Sequence, residues 1–399
     1  MIKKTSIIIT LFLSFMSFSA HSRRLNTGPW RFELKTTHGI VPFIINISNI
    51  KNKYSAILLN GDEKIPLHIN FSDIGISIPI QTFELSIELT YPKNGKMYGH
   101  LVRHNKNPKS KIPLTATFGE SLRFPEIDES SPIDLNGKWS VTLTHDTNQK
   151  EQAVLIFKQN KNKIYGSILT QTGDYRYMEG VVWGNKFKAA SFDGVYNYLF
   201  TGEVIDKRLK AEILNSYKTQ VEGSRDDKAE LPDAYAHTKV DSLNFEFPDL
   251  FGKKISLKDQ KFKDKPVIIQ IFGSWCPNCL DEMNFLIPWY SQNSKRNIEV
   301  LALAFERSLD TKAAKLQLMK TYNKYKIPYT LLIAGSTSED KPMDKIPGIK
   351  NFISFPTVIF LNKNHQVFKV HSGFNGPSTG DYYEKWKKEF NSIVNELVK

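Results

Sequence analysis

Cys276 and Cys279 are the only cysteines among 399 residues, and they stand in one C-x-x-C, Trp275-Cys276-Pro277-Asn278-Cys279. That spacing permits a disulfide ring that opens and closes within one helical turn. The pair can therefore exchange two electrons without remodelling the fold. A structural zinc site needs four ligands, and no other cysteine exists to supply them. Two histidine pairs have suitable spacing, but His100/His104 falls in a different region and His365/His371 brackets an apparent strand. A c-type haem attachment would need histidine where Leu280 stands. A purely structural disulfide across so short a loop would add little chain-entropy stabilisation. A redox dithiol, with no metal and no cofactor, is the favoured reading, with a structural disulfide and a metal site as the alternatives.

The elements that must position this pair follow from periodicity. Val267 to Phe272 (VIIQIF) is an almost continuous apolar run, as in a central strand buried on both faces. A helix is expected from the active-site loop to about Tyr290, and a second from Thr311 to Tyr325. Ile298–Phe305, Tyr329–Ala334, Thr357–Leu361 and Val367–Val370 read as strands, and Phe245–Leu257 as a hairpin. Asp381–Val398 closes the chain as an amphipathic helix with Tyr382, Trp386, Phe390 and Val394 at fourfold spacing. Residues 240–399 are thus an α/β domain, with 228–239 as a polar, Pro-containing linker.

Ahead of the linker the pattern is all-β. Two stretches, 27–125 and 132–226, look like copies of one another. Gly28-Pro29-Trp30-Arg31-Phe32-Glu33-Leu34 matches Gly137-Lys138-Trp139-Ser140-Val141-Thr142-Leu143, and Tyr54 to Leu58 matches Tyr165 to Leu169. Alternation dominates both, as in Phe83, Leu85, Ile87 and Leu89, so six to eight short antiparallel strands are expected in each. Each reads as a small barrel or sandwich, unless the two pair into one larger sheet. The leading G-x-W strand and the meander behind it resemble a lipocalin-type barrel. Asp174, Arg176 and Asp193 form the densest polar cluster here. They read either as a ligand-binding barrel mouth or as turn formers with a structural ion pair.

Lys3 and Lys4, the apolar run Ser6–Ala20 and the small residues before Arg23 have the order of a secretory signal, residues 1–22. The expectation is an exported, periplasmic protein with no stable membrane anchor after cleavage. The net charge of +13 is spread along the chain rather than gathered into a stripe. With export, that argues against a nucleic-acid partner.

W-C-x-x-C behind a buried strand, with Phe355-Pro356-Thr357 downstream, resembles the thioredoxin fold. The preceding hairpin and Cys279-Leu280-Asp281-Glu282-Met283 narrow the resemblance to the TlpA/ResA-like exported thiol-disulfide oxidoreductases, some of which carry large amino-terminal β regions. That resemblance implies a multidomain protein whose carboxy-terminal domain has the thioredoxin fold. It implies that Pro356 is a cis-proline whose loop, with Phe355, receives an extended substrate. It implies that Glu282 tunes the thiols, and that Gly373 packs beside them. Cys276, at the first turn of a helix, would be the attacking sulfur and Cys279 the resolving one. Pro277 suits a position that needs no N–H, and Trp275 would cover the pair. Three departures affect tuning. Gln270 replaces thioredoxin's buried acid, Asn284 replaces a common proline with Pro288 four residues on, and Asn278 replaces the second proline of C-P-P-C. Protein thiols and disulfides, among them apocytochrome c cysteines, are the implied clients, with a membrane thiol reductant as electron donor. Two other functions stay open: oxidation or isomerisation by the same pair, and capture of a ligand or partner by the β repeats.

Overall fold

The computed structural model describes residues 25–80, 83–104, 108–127, 133–231, 239–240 and 243–399. Residues 1–22, read from the sequence as a secretory signal, and most of 228–239, read as a linker, lie outside the described residues.

The two β copies form separate antiparallel sheets instead of joining a common one. The first runs through nine antiparallel strands, and its first strand, Gly28–Thr36, pairs with both Gly39–Ile50 and Ser110–Phe118. The second closes an eight-strand ring. There Gly137–Thr144 pairs with Lys218–Arg225, and Lys150–Asn160 pairs with both Gly137–Thr144 and Lys163–Thr170. Gly173–Asp174 is attached to this ring as a ninth, two-residue strand. The sequence reading fell short of nine strands per copy because pieces as short as Asn70–Phe71 and Gly173–Asp174 have no period to read. Inward residues alternate with outward ones, so Trp30, Phe32 and Leu34 enter one core and Trp139, Val141 and Leu143 the other. The repeat extends to hydrogen bonding. Trp30 Nε1 donates to Asn26 O at 3.0 Å, and Trp139 Nε1 to Leu135 O at 3.0 Å. A buried indole needs such a partner.

The barrels pack side by side. Phe192, on the second barrel's strand Lys186–Phe192, stacks on Phe43 of the first with ring centroids 3.7 Å apart and joins the first barrel's core. Arg123 is buried in the seam, donating to Ala190 O at 2.7 Å and Asn60 Oδ1 at 3.1 Å and pairing with Glu179 at 2.8 Å.

The third unit is a five-stranded mixed sheet. Its order is Thr330–Ser336, Glu299–Glu306, Val267–Phe272, Thr357–Leu361, Val367–Ser372, with the first three parallel and the last two antiparallel. Helices α1 (Pro277–Asn293), α2 (Thr311–Tyr325) and α3 (Asp381–Leu397) contribute to the core on one face. The hairpin Glu246–Pro248/Lys254–Ser256 and its neighbours contribute to the core on the other. Every residue of Val267–Phe272 is buried, as its almost continuous apolar run requires, with Gln270 the single polar residue among them. Pro288 lies inside α1, where it removes one helical hydrogen bond. The protein is multidomain: two all-β, barrel-like units followed by a thioredoxin-like domain.

Candidate active site

Cys276 caps α1 from an extended backbone (φ −102°, ψ 111°), and its sulfur accepts a hydrogen bond from Cys279 N at 3.3 Å. Pro277 occupies the first helical turn. The two cysteines form a disulfide with Cα atoms 5.3 Å apart, and both are buried, Cys276 retaining 7% exposure. Free amides at a helix start and the macrodipole favour a thiolate there once the bond is reduced.

Three segments face this turn. The Phe355–Pro356 peptide is cis, and Phe355 O lies 3.7 Å from Cys276 Sγ. Gly373 N donates to Pro356 O at 2.9 Å, tying the end of the last strand to the proline loop. Trp275 is held to one side. Its indole N–H donates to Phe305 O at 2.9 Å, its ring meets Phe355 edge-on at 5.5 Å, and the Arg307 guanidinium lies over it at 4.8 Å. Trp275 therefore forms a wall beside the cysteines with its N–H already satisfied.

Behind Cys279 lies Glu282, fully buried one helical turn on. Gln270 Nε2 donates to Glu282 Oε2 at 2.8 Å and reaches Cys279 O at 3.5 Å. Burial pushes the Glu282 carboxyl up to about 8, with the Gln270 hydrogen bond opposing only part of that rise. The residue is thus no solvated surface acid. At neutral pH it keeps its proton beside Cys279.

Two further carboxylates serve the turn without any sequence signal that pointed to them. Glu306 is buried at the end of its strand and accepts from Ser274 N at 3.0 Å and Ser274 Oγ at 2.8 Å. It pins the residue just ahead of Trp275. Asp281, in α1, pairs with Arg176 of the second barrel. Arg176 also pairs with Glu63 of the first barrel and with Asp193 at 2.7 Å. Asp174, Arg176 and Asp193, which the sequence offered as a barrel mouth or as a structural ion pair, thus meet the redox helix. Among the described residues no group of histidines, cysteines and carboxylates could hold a metal ion.

Residues 240–368 match the AhpC/TSA family model. The chain is similar to the thiol-disulfide oxidoreductase ResA of Bacillus thuringiensis subsp. konkukian, 30% identical over 146 residues, which covers 37% of this chain and 74% of that protein. The ResA of Halalkalibacterium halodurans is 25% identical over 155 residues, with 38% of this chain and 74% of that protein covered. Among solved structures, a thiol:disulfide interchange protein of Chlorobium tepidum aligns at 17% identity and a TM-score of 0.31, over 40% of this chain and 97% of its own. Through its carboxy-terminal domain, the chain belongs to the ResA-like thiol-disulfide oxidoreductases of the thioredoxin superfamily.

Proposed function

We propose that the chain is an exported reductase of protein disulfides working through Cys276 and Cys279. The observation that carries this reading is a dithiol-competent pair at a helix start, with its first sulfur facing a cis-proline loop. In the reduced protein, the Cys276 thiolate attacks a client disulfide. One client sulfur leaves as a thiolate and a mixed disulfide forms. The Cys279 thiol gives up its proton and attacks Cys276 Sγ. The second client sulfur then leaves, and the Cys276–Cys279 disulfide is restored. Two electrons pass to the client, and the protons of two thiols end on the client's two sulfurs. The backbone of Phe355 beside Pro356 is the edge on which an extended client segment would lie. Glu282 supplies a group that can exchange a proton near Cys279, through solvent admitted on client binding. Clients with neighbouring cysteines, such as apocytochrome c, and a membrane thiol donor that recharges the pair complete the cycle. The signal-like order of residues 1–22 supports export.

The same chemistry run backwards would make a disulfide donor, so the direction rests on the reduction potential. Titration of the pair in defined thiol buffers should give a value near that of thioredoxin, about −270 mV. A value near that of the strong oxidant DsbA, about −120 mV, would reverse the assignment.

A further inference from the structure

The turn Gly173–Arg176 of the second barrel sits against the dipeptide between the two cysteines. Arg176 Nη1 donates to Pro277 O at 3.4 Å, and Asn278 Nδ2 donates to Asp174 O at 3.0 Å. Asp174 in turn accepts from Gly376 N at 2.6 Å and from Ser378 Oγ at 2.8 Å, on the loop that follows Gly373. One barrel turn therefore bridges α1 and the loop opposite it. The approach is close enough to dictate residue type. Gly173 has φ +138°, and a Cβ there would lie 2.4 Å from Asn278 Nδ2. Arg176 is fully enclosed, with Asp281, Asp193 and Glu63 around its guanidinium and Asp174 Oδ1 accepting from its backbone N–H at 2.6 Å.

A contact made only to join domains could fall anywhere on the thioredoxin-like unit. This one falls on Pro277 and Asn278, whose geometry aims Cys279 N at Cys276 Sγ. It also brings the guanidinium of a buried ionic cluster to the carbonyl next to Cys276. The other titratable groups facing the turn are the protonated Glu282 behind Cys279, and Glu306 with Arg307 at Ser274 and Trp275. We propose that the barrel turn is part of the redox site, with Arg176 and Asp174 as positioning residues that hold the inter-cysteine dipeptide, and with the Arg176 guanidinium favouring the Cys276 thiolate. The inference rests on the oxidoreductase reading and adds a component to that site.

The test uses the full chain with Arg176→Lys and Arg176→Gln, each first checked for native far-UV dichroism and a cooperative melt. Lysine keeps the charge but cannot reproduce the fork to Pro277 O and the carboxylates; glutamine removes the charge as well. Two readouts follow: the rate at which iodoacetamide alkylates reduced Cys276 at pH 7, and the equilibrium with glutathione. For Arg176→Gln we expect alkylation slowed about fivefold. Its exchange equilibrium should shift about tenfold toward the disulfide, which corresponds to ~30 mV more negative. Arg176→Lys should fall between this variant and the unsubstituted protein. Should the glutamine variant not fold, the lysine variant decides, with at least a twofold slowing expected. A folded variant that alkylates and equilibrates like the unsubstituted protein overturns the inference, even if its melting temperature drops. If the unsubstituted protein itself exchanges no disulfide with glutathione, the oxidoreductase reading fails first and takes this inference with it.

Discussion

Glu282 is a carboxyl group placed where water does not reach, and its side chain is hydrogen-bonded by the amide of Gln270. Its proton should therefore be visible in stability. The folded chain holds that proton up to about pH 8, whereas an unfolded chain releases it near 4.3. Between those values the folded state binds more protons, so stability falls as pH rises, by at most about 1.4 kcal/mol per pH unit, and levels off above the folded value. Glu282→Gln keeps the shape and removes the titration. Its melting temperature should rise relative to the unsubstituted protein from pH 5 to pH 8; parallel profiles would mean the carboxyl is solvated. At this scale much was legible. Cys276, Cys279 and Glu282 share one helix, so their separation follows from spacing alone. Arg176 was visible as a residue but not as a neighbour of Pro277, because 100 residues of chain separate them and side-chain period says nothing about that distance.

The elements around the pair are regular, but the loops between them decide the site. Gly373 follows the last strand at φ +79°, and a Cβ there would lie 2.5 Å from Gln171 O of the second barrel. Gly373→Ala should therefore cost about 1–3 kcal/mol through backbone strain and that clash. It should also loosen the proline loop, which Gly373 N supports through Pro356 O. A lowered urea midpoint with unchanged slope is the expected result, and an unmoved midpoint would show that the barrel loop yields freely. The strands and helices of this domain were readable because each buries a periodic apolar face; Thr311–Tyr325 and Thr357–Leu361 have the bounds expected from period alone. The hydrogen-bonded loop contacts of Ser274 with Glu306, and of Gly376 with Asp174, carry no such period and were not readable.

Across the whole molecule the three units share surfaces that none of them could leave exposed. Phe192 belongs to the second barrel by sequence and to the first barrel's core by position. Phe192→Ala should cost about 3–5 kcal/mol and lower the melting of the first barrel as well as the second. Calorimetry showing a loss confined to the second barrel would contradict the shared core. Phe83, from the first barrel, packs against the core of the thioredoxin-like domain in the same way. The repeats, their all-β character, the α/β class of residues 240–399 and the redox pair were all determined by the sequence itself. Each rests on local spacing: alternation along a strand, a stripe along a helix, two cysteines one turn apart. Tertiary structure alone decided that the second barrel touches the dipeptide between the cysteines. It also decided that Arg176 is enclosed by carboxylates from all three units. Those contacts depend on how finished surfaces fit and on the cost of burying a guanidinium without partners, and neither is written in the period of any one segment.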